Sequence, residues 1–190
     1  DVAYYQATCF SYIGELCRYL LNQPECTAER NNTLKYMVGN GLRPTIWHEF
    51  KNRFGIERVL EFYGSSEGNI AFVNTFNFDN TVGFSPVTFA VVRYDLDKDE
   101  PVRNARGYMQ KADLGEPGLL LSEISWASPF EGYTESAKSE AAIVRNVFKR
   151  GDAWFNTGDL MRDLGFRHAQ FVDRLGDTFR WKGENVSTNE

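Results

Sequence analysis

The sequence has 190 residues, 42% hydrophobic and 15% aromatic, enough to bury the core of one large domain or two small ones. A formal net charge of −5 excludes a protein that holds nucleic acid by its overall field, because neutralising phosphates takes clustered Lys and Arg. No apolar run approaches the roughly 20 residues that span a bilayer, and no signal-peptide pattern opens the chain.

Tyr4 to Leu21 reads as one amphipathic helix, with Tyr5, Cys9, Ile13, Leu16 or Cys17, and Leu20 at near-helical spacing and Asn22-Gln23-Pro24 ending it. Cys9, Cys17 and Cys26 are odd in number and lack CxxC spacing, so reduced thiols are expected rather than zinc ligands or disulfides, with Cys9 and Cys17 packed in the core. Thr33 to Gly39 reads as a buried strand. After the turn Gly41-Leu42-Arg43-Pro44 comes a short helix with Ile46, Trp47 and Phe50 on its apolar face, begun by Pro44. Ile56 to Tyr63 carries the β-branched and aromatic bias of a second strand. Together these form a βαβ-like unit. Ligands of open α/β sheets lie at the carboxyl ends of the strands, which puts Gly41–Pro44 and Gly64-Ser65-Ser66-Glu67-Gly68 on the rim that would hold one.

Farther along, residues 89–95 and 118–124 are strand-like without helices between them, which predicts a smaller β subdomain. Glu135 to Phe148 reads as a helix with Ala141, Ile143, Val144, Val147 and Phe148 on its apolar stripe. Strands follow at 154–157, 170–172 and 178–181. Arg150-Gly151-Asp152 is explained by a polar turn before an aromatic strand. The opening at Asp1 without Met and the polar end at Val186–Glu190 read as a piece of something longer.

The glycines of FYGSSEGN let backbone N–H groups approach an anion, and the hydroxyls of Ser65 and Ser66 can donate to phosphate. Glu67 would repel a bare phosphate, but a bridging Mg²⁺ reverses that sign, so nucleotide with Mg²⁺ fits better than phosphate alone. Tyr63 offers an aromatic face to a base. Asp159, ending the strand Trp154-Phe155-Asn156-Thr157, can accept both hydroxyls of a ribose, and Arg174 places a fixed five-donor cation just after another strand.

These segments, in this order, resemble the motifs of the adenylate-forming enzymes: acyl-CoA synthetases, firefly luciferase and peptide-synthetase adenylation domains. FYGSSEGN looks like their YGxTEG, FNTGD like their ribose-binding TGD, and DRLGDTFRWKGENVS like their hinge. The closer match is to fatty acid transport proteins, also called very-long-chain acyl-CoA synthetases, which share YIGELCRYLLNQP, FYGSSEGN, GEPGLLL, WFNTGDL and FVDRLGDTFRWKGENVS. The resemblance implies an α/β fold, a βαβ layer plus a smaller β subdomain from the N-terminal domain of these enzymes. The α/β part would span 1–83, the β-rich part 84–175, and the hinge with the start of a C-terminal domain 176–190.

It also implies a long- or very-long-chain fatty acid–CoA ligase using ATP, Mg²⁺ and CoA. Gly41, Leu42, Arg43 and Pro44 would line adenine with Tyr63. Gly64, Ser65 and Ser66 would meet phosphate, Glu67 the metal and Asp159 the ribose hydroxyls; Arg174 would meet ribose and phosphate, and Gly176-Asp177 would be the hinge. His48 and His168 receive no catalytic role, since stabilising charge on phosphorus needs no general base.

Three departures stand out. Ser66 replaces Thr, Gly176 occupies the usual hinge Asp or Lys, and Leu42-Arg43 replace small residues. Arg43 has two readings, a phosphate or base contact and a solvent-facing side chain. Nothing matches the family's upstream phosphate loop ending in Lys, and its catalytic C-terminal Lys would lie past Gly183. Half an active site is therefore expected, inactive alone. The rival readings are a fatty-acid uptake or binding module without catalysis, and an adenylating enzyme with another acceptor. Membrane association in the family is linked to N-terminal segments outside this sequence, so the expected location is cytoplasmic or on the cytosolic face of a membrane.

Overall fold

The computed structural model describes residues 1–64, 68–132, 136–175, 178–181 and 184–187. They form two compact units, residues 1–63 with 72–84 and residues 64–71 with 85–190.

The first unit is built from α1 (Val2–Tyr5), β1 (Cys9–Ile13), α2 (Gly14–Leu21), α3 (Thr27–Arg30), β2 (Tyr36–Asn40), α4 (Pro44–Phe54), β3 (Arg58–Gly64), β4 (Ala71–Val73) and β5 (Gly83–Phe84). β1, β2 and β3 are parallel neighbours, in register from Cys9 opposite Tyr36 and from Tyr36 opposite Arg58, and β4 pairs antiparallel with β5. Parallel pairing brings the carboxyl ends of three strands to one edge. Helix α4 starts with Pro44 at its first position and ends on Gly55 in the left-handed region (φ 71), which a side chain would strain. It buries Trp47 and Phe50 against Tyr12, Met37 and Val59 of the sheet. The βαβ expectation holds.

The expected helix from Tyr4 to Leu21 does not. Residues Cys9–Ile13 are a strand, and the helix is confined to Gly14–Leu21. The supposed apolar stripe is largely in solvent, with Tyr5 73% and Ile13 62% exposed. The aromatic and β-branched residues of CFSYI favour extended backbone, and β2 supplies the hydrogen-bonding partner from 27 positions away.

The second unit contains β6 (Phe89–Val92), β7 (Tyr94–Asp95), β8 (Glu100–Pro101), β9 (Pro117–Glu123), α5 (Ser136–Ala142), β10 (Ile143–Arg145), β11 (Ala153–Gly165), β12 (His168–Arg174), β13 (Thr178–Trp181) and β14 (Glu184–Ser187). It is antiparallel. β11 takes β10 and then β12 along one edge and β9 along the other, with β6 beyond β9. Its core includes Val92, Leu119, Leu121, Val147 and Trp154. The helix expected over 135–148 stops at Ala142, because Ile143 and Val144 pair with Phe155 and Trp154 instead. Asp152 explains the Arg-Gly-Asp turn: its buried carboxylate accepts from the N–H groups of Val147 (2.6 Å), Phe148 (2.9 Å) and Lys149 (3.2 Å) and from Trp154 Nε1 (3.1 Å). Although burial pushes that carboxyl up, these four donors hold it below its ordinary value.

Candidate functional site

In the first unit, the carboxyl edge of the parallel strands carries Gly14, Gly41 and Tyr63. The chain leaves β2 through Gly41 at φ 78, and a Cβ on Gly14 would sit 1.6 Å from the Gly41 carbonyl oxygen, so the two backbones touch only because Gly14 has no side chain. Arg43 occupies the N-cap of α4 in extended conformation (φ −68, ψ 141). The Leu42 side chain is buried in the core at 4% exposure. The Glu15 carboxyl is held down chiefly by its hydrogen bond with Arg18, with a minor contribution from the charge of Arg43. Tyr63 is half-buried and meets Phe72 edge to face at 5.9 Å.

Glu61, absent from the motif, is a prominent feature of this edge. It is 2% exposed; its Oε1 accepts from Gly41 N–H at 2.5 Å and from Leu42 N–H at 3.2 Å, and its Oε2 accepts from the Tyr12 hydroxyl. Strand alternation places it on the buried face with Val59, where an apolar residue is the rule. A glutamate interrupting an apolar face was the signal in the sequence.

Gly64, the last residue of β3, is exposed. Ser65, Ser66 and Glu67, like the hinge pair Gly176 and Asp177, lie outside the described residues. The residues that follow the loop belong to the second unit and are firmly held. A Cβ on Gly68 would stand 2.6 Å from the Phe155 ring, which itself stacks on Phe130 at 4.8 Å. Asn69 donates through Nδ2 to the carbonyls of Glu123 and Ser128, both at 2.9 Å, and its Oδ1 accepts from the Ser122 hydroxyl.

Asp159 and Arg174 are brought together. Sequence reasoning puts Asp159 at a strand end; it lies inside the long β11, within a bulge. Asn156 pairs with Leu121 and Leu160 with Leu119, so residues 157–159 oppose Leu120 alone. Gly158 (φ 73) turns the backbone, Asn156 Oδ1 accepts its N–H at 2.9 Å, and Thr157 Oγ1 bridges the Leu120 carbonyl (3.0 Å) and the Asp159 N–H (3.1 Å). The bulge re-aims Asp159, and β12 puts Arg174 directly opposite: its Nε donates to Asp159 Oδ1 at 3.0 Å. The carboxylate side chain is 3% exposed and the guanidinium side chain 62%, so the pair joins a buried acceptor to an open cation. Asn156 and Thr157 were missed as supports, although Asn and Thr just before a Gly are the turn-formers such a bulge uses.

His48 lies near Asp79 at the surface, and buried His168 has Nδ1 2.9 Å from the Phe166 carbonyl. All three cysteines are free thiols; Cys17 is buried as expected, whereas Cys9, on the exposed side of β1, is not packed in the core, and Cys26 is exposed. No helix among the described residues is long and apolar enough to cross a membrane.

No family model matches the chain. It is 57% identical over 185 residues, 97% of its length, to the medium/long-chain-fatty-acid–CoA ligase FadD6 of Mycobacterium tuberculosis, covering 31% of that protein. It is 44% identical along its whole length to long-chain fatty acid transport protein 6 of Mus musculus, covering 32% of it. Thus the chain spans about a third of the length of the curated relatives it matches. Its fold matches ATP-bound MatB from Rhodopseudomonas palustris with a TM-score of 0.65 at 21% identity, over 96% of this chain and 34% of that one. By sequence along nearly its whole length, and with the α/β fold of the adenylate-forming enzymes, this chain belongs to the family of fatty-acid–CoA ligases and long-chain fatty acid transport proteins.

Proposed function

We propose that the chain is part of an ATP-dependent, AMP-forming fatty acid–CoA ligase. The observation that carries this reading is the 57% identity to a protein named as a fatty-acid–CoA ligase over 97% of the chain. The fatty acid carboxylate attacks the α-phosphorus of ATP, giving acyl-adenylate and pyrophosphate. The CoA thiol then attacks the acyl carbon, loses its proton and displaces AMP to leave the thioester.

In this reading Asp159, aimed by its bulge, accepts from the ribose hydroxyls. Arg174, already a donor to Asp159, adds donors for ribose and phosphate. Tyr63 and the backbone of Gly41–Pro44 face adenine, while Gly64, Ser65 and Ser66 face phosphate. Magnesium takes one or two carboxylates and keeps water and phosphate as its other ligands, so a single carboxylate such as Glu67 would be enough. Among the described residues no group of three or more His, Cys, Asp or Glu would hold a metal unaided. Bound with ATP, Mg²⁺ would offset negative charge on the phosphates. The proposed division is 1–83, 84–175 and 176–190, with the pivot at Gly176-Asp177, where glycine eases backbone rotation. The proposed location of the protein carrying the chain is the cytoplasm or the cytosolic face of a membrane.

The test is acyl-CoA formation by the full-length protein carrying this sequence, across a panel of acids and thiol acceptors. Glu67→Ala and Asp159→Ala are each expected to lower the rate by about a hundredfold, the scale of losing one transition-state contact. Wild-type rates in both variants would overturn the assignment, and a preferred acceptor other than CoA would replace the ligase reading. A second reading, fatty-acid uptake without chemistry, is favoured by relatives named as transport proteins. It requires uptake to persist in both variants.

A further inference from the structure

Three parallel strands meet at one buried carboxylate. β3 contributes Glu61, β1 contributes the Tyr12 hydroxyl, and β2 runs directly into Gly41 and Leu42, whose N–H groups both point at Glu61 Oε1. Gly41 has no side chain to fix its path, and its positive φ is open to many neighbouring conformations. What pins it is the carboxylate on one side and the Gly14 backbone on the other. A nearly buried glutamate is costly to keep among apolar neighbours, so a hydrophobic residue beside Val59 would serve the core better. The side chain spends its hydrogen-bonding capacity on the loop.

We propose that Glu61 is a positioning residue for nucleotide recognition, holding the backbone of Gly41 and Leu42 in the shape that meets adenine. This rests on the reading under Proposed function, which gives the loop its ligand.

The clasp is strongest when Glu61 is charged, because N–H bonds to a carboxylate are stronger than those to a neutral acid. Burial pushes this carboxyl up to about 7, against the lowering pull of Tyr12, Gly41 and Leu42. The titratable groups facing it are Tyr12 on β1 and Cys17 on α2. Burial raises both, Cys17 to about 12 and Tyr12 farther still, so each stays neutral near pH 7. Arg43, on the loop itself, acts on Glu15. The clasp is therefore made above about pH 7 and loosened below it.

Steady-state acyl-CoA formation by the full-length protein between pH 6 and 8 tests this. In the wild type, KM for ATP is expected to rise as the pH falls through about 7, while KM for the fatty acid stays level. Glu61→Gln keeps size and shape but mimics the protonated acid. It is expected to raise KM for ATP at pH 8 by about tenfold, the scale of one charge-assisted hydrogen bond, and to flatten its pH dependence. Tyr12→Phe leaves the charge and removes one donor, so it should move the loosening to higher pH; this variant decides the matter if Glu61→Gln does not fold. Unchanged KM for ATP in Glu61→Gln, or equal rises for ATP and fatty acid, would overturn the proposal and leave the ligase reading standing. A wild-type protein that forms no acyl-CoA would overturn both.

Discussion

Asp159 and Glu61 are both 2% exposed, and their surroundings fit them for different tasks. Asp159 faces a cation across the strand pair, whereas Glu61 accepts from the Tyr12 hydroxyl and the N–H groups of Gly41 and Leu42. The Glu61 carboxyl is raised from 4.5 to about 7, mainly by burial, so the folded state favours its neutral form. Stability from that preference is present in full below about pH 4.5 and is lost as the pH rises through about 7. Glu61→Gln, neutral throughout, should therefore raise Tm at pH 8 more than at pH 5 in thermal denaturation. An equal or lower Tm at pH 8 would count against it. Such a gain beside a weaker KM for ATP is the trade of stability for function that a buried positioning carboxylate implies. Asp159 and Arg174 were legible because each lies in a contiguous motif. Glu61 was not, because its partners Tyr12 and Gly41 are 49 and 20 positions away.

Among the elements, β1 and α5 show where periodicity misleads. Apolar residues over 5–20 recur at helical spacing, yet residues 9–13 pair with β2, and Ile143–Arg145 leave a helical pattern to pair with β11. For β1 a strand far along the chain outweighed local propensity, and for β10 the neighbouring strand β11 did so. Helix α4 was legible since Pro44 begins it and Trp47 and Phe50 line one face. The turn from β1 into α2 offers a sharp test. A methyl group at residue 14 would overlap the Gly41 carbonyl, so Gly14→Ala is expected to cost about 1–3 kcal/mol. Urea denaturation with a midpoint equal to that of the wild type would show that the loop yields freely.

For the whole molecule, the two compact units assign residues 64–71 to the β-rich unit, whereas the sequence reading divides the chain at residue 83. The reason lies in Asn69, whose side chain is bonded to Ser122, Glu123 and Ser128. The chain covers about a third of its relatives' length. The purified 190-residue chain is expected to release no pyrophosphate from ATP with a fatty acid, and to form no acyl-CoA when CoA is added. Product in either assay would show that the groups present here suffice.

By itself the sequence determined the family and the α/β class and singled out Asp159 and Arg174 as candidate site residues, since each rests on a short contiguous string whose residue types carry its chemistry. Only the tertiary structure decided that residues 9–13 are a strand, that the Thr157-Gly158-Asp159 segment is a bulge, and that Glu61 clasps the loop after β2. Those outcomes depend on backbone partners far away in the chain, and no local pattern records which distant strand a segment will meet.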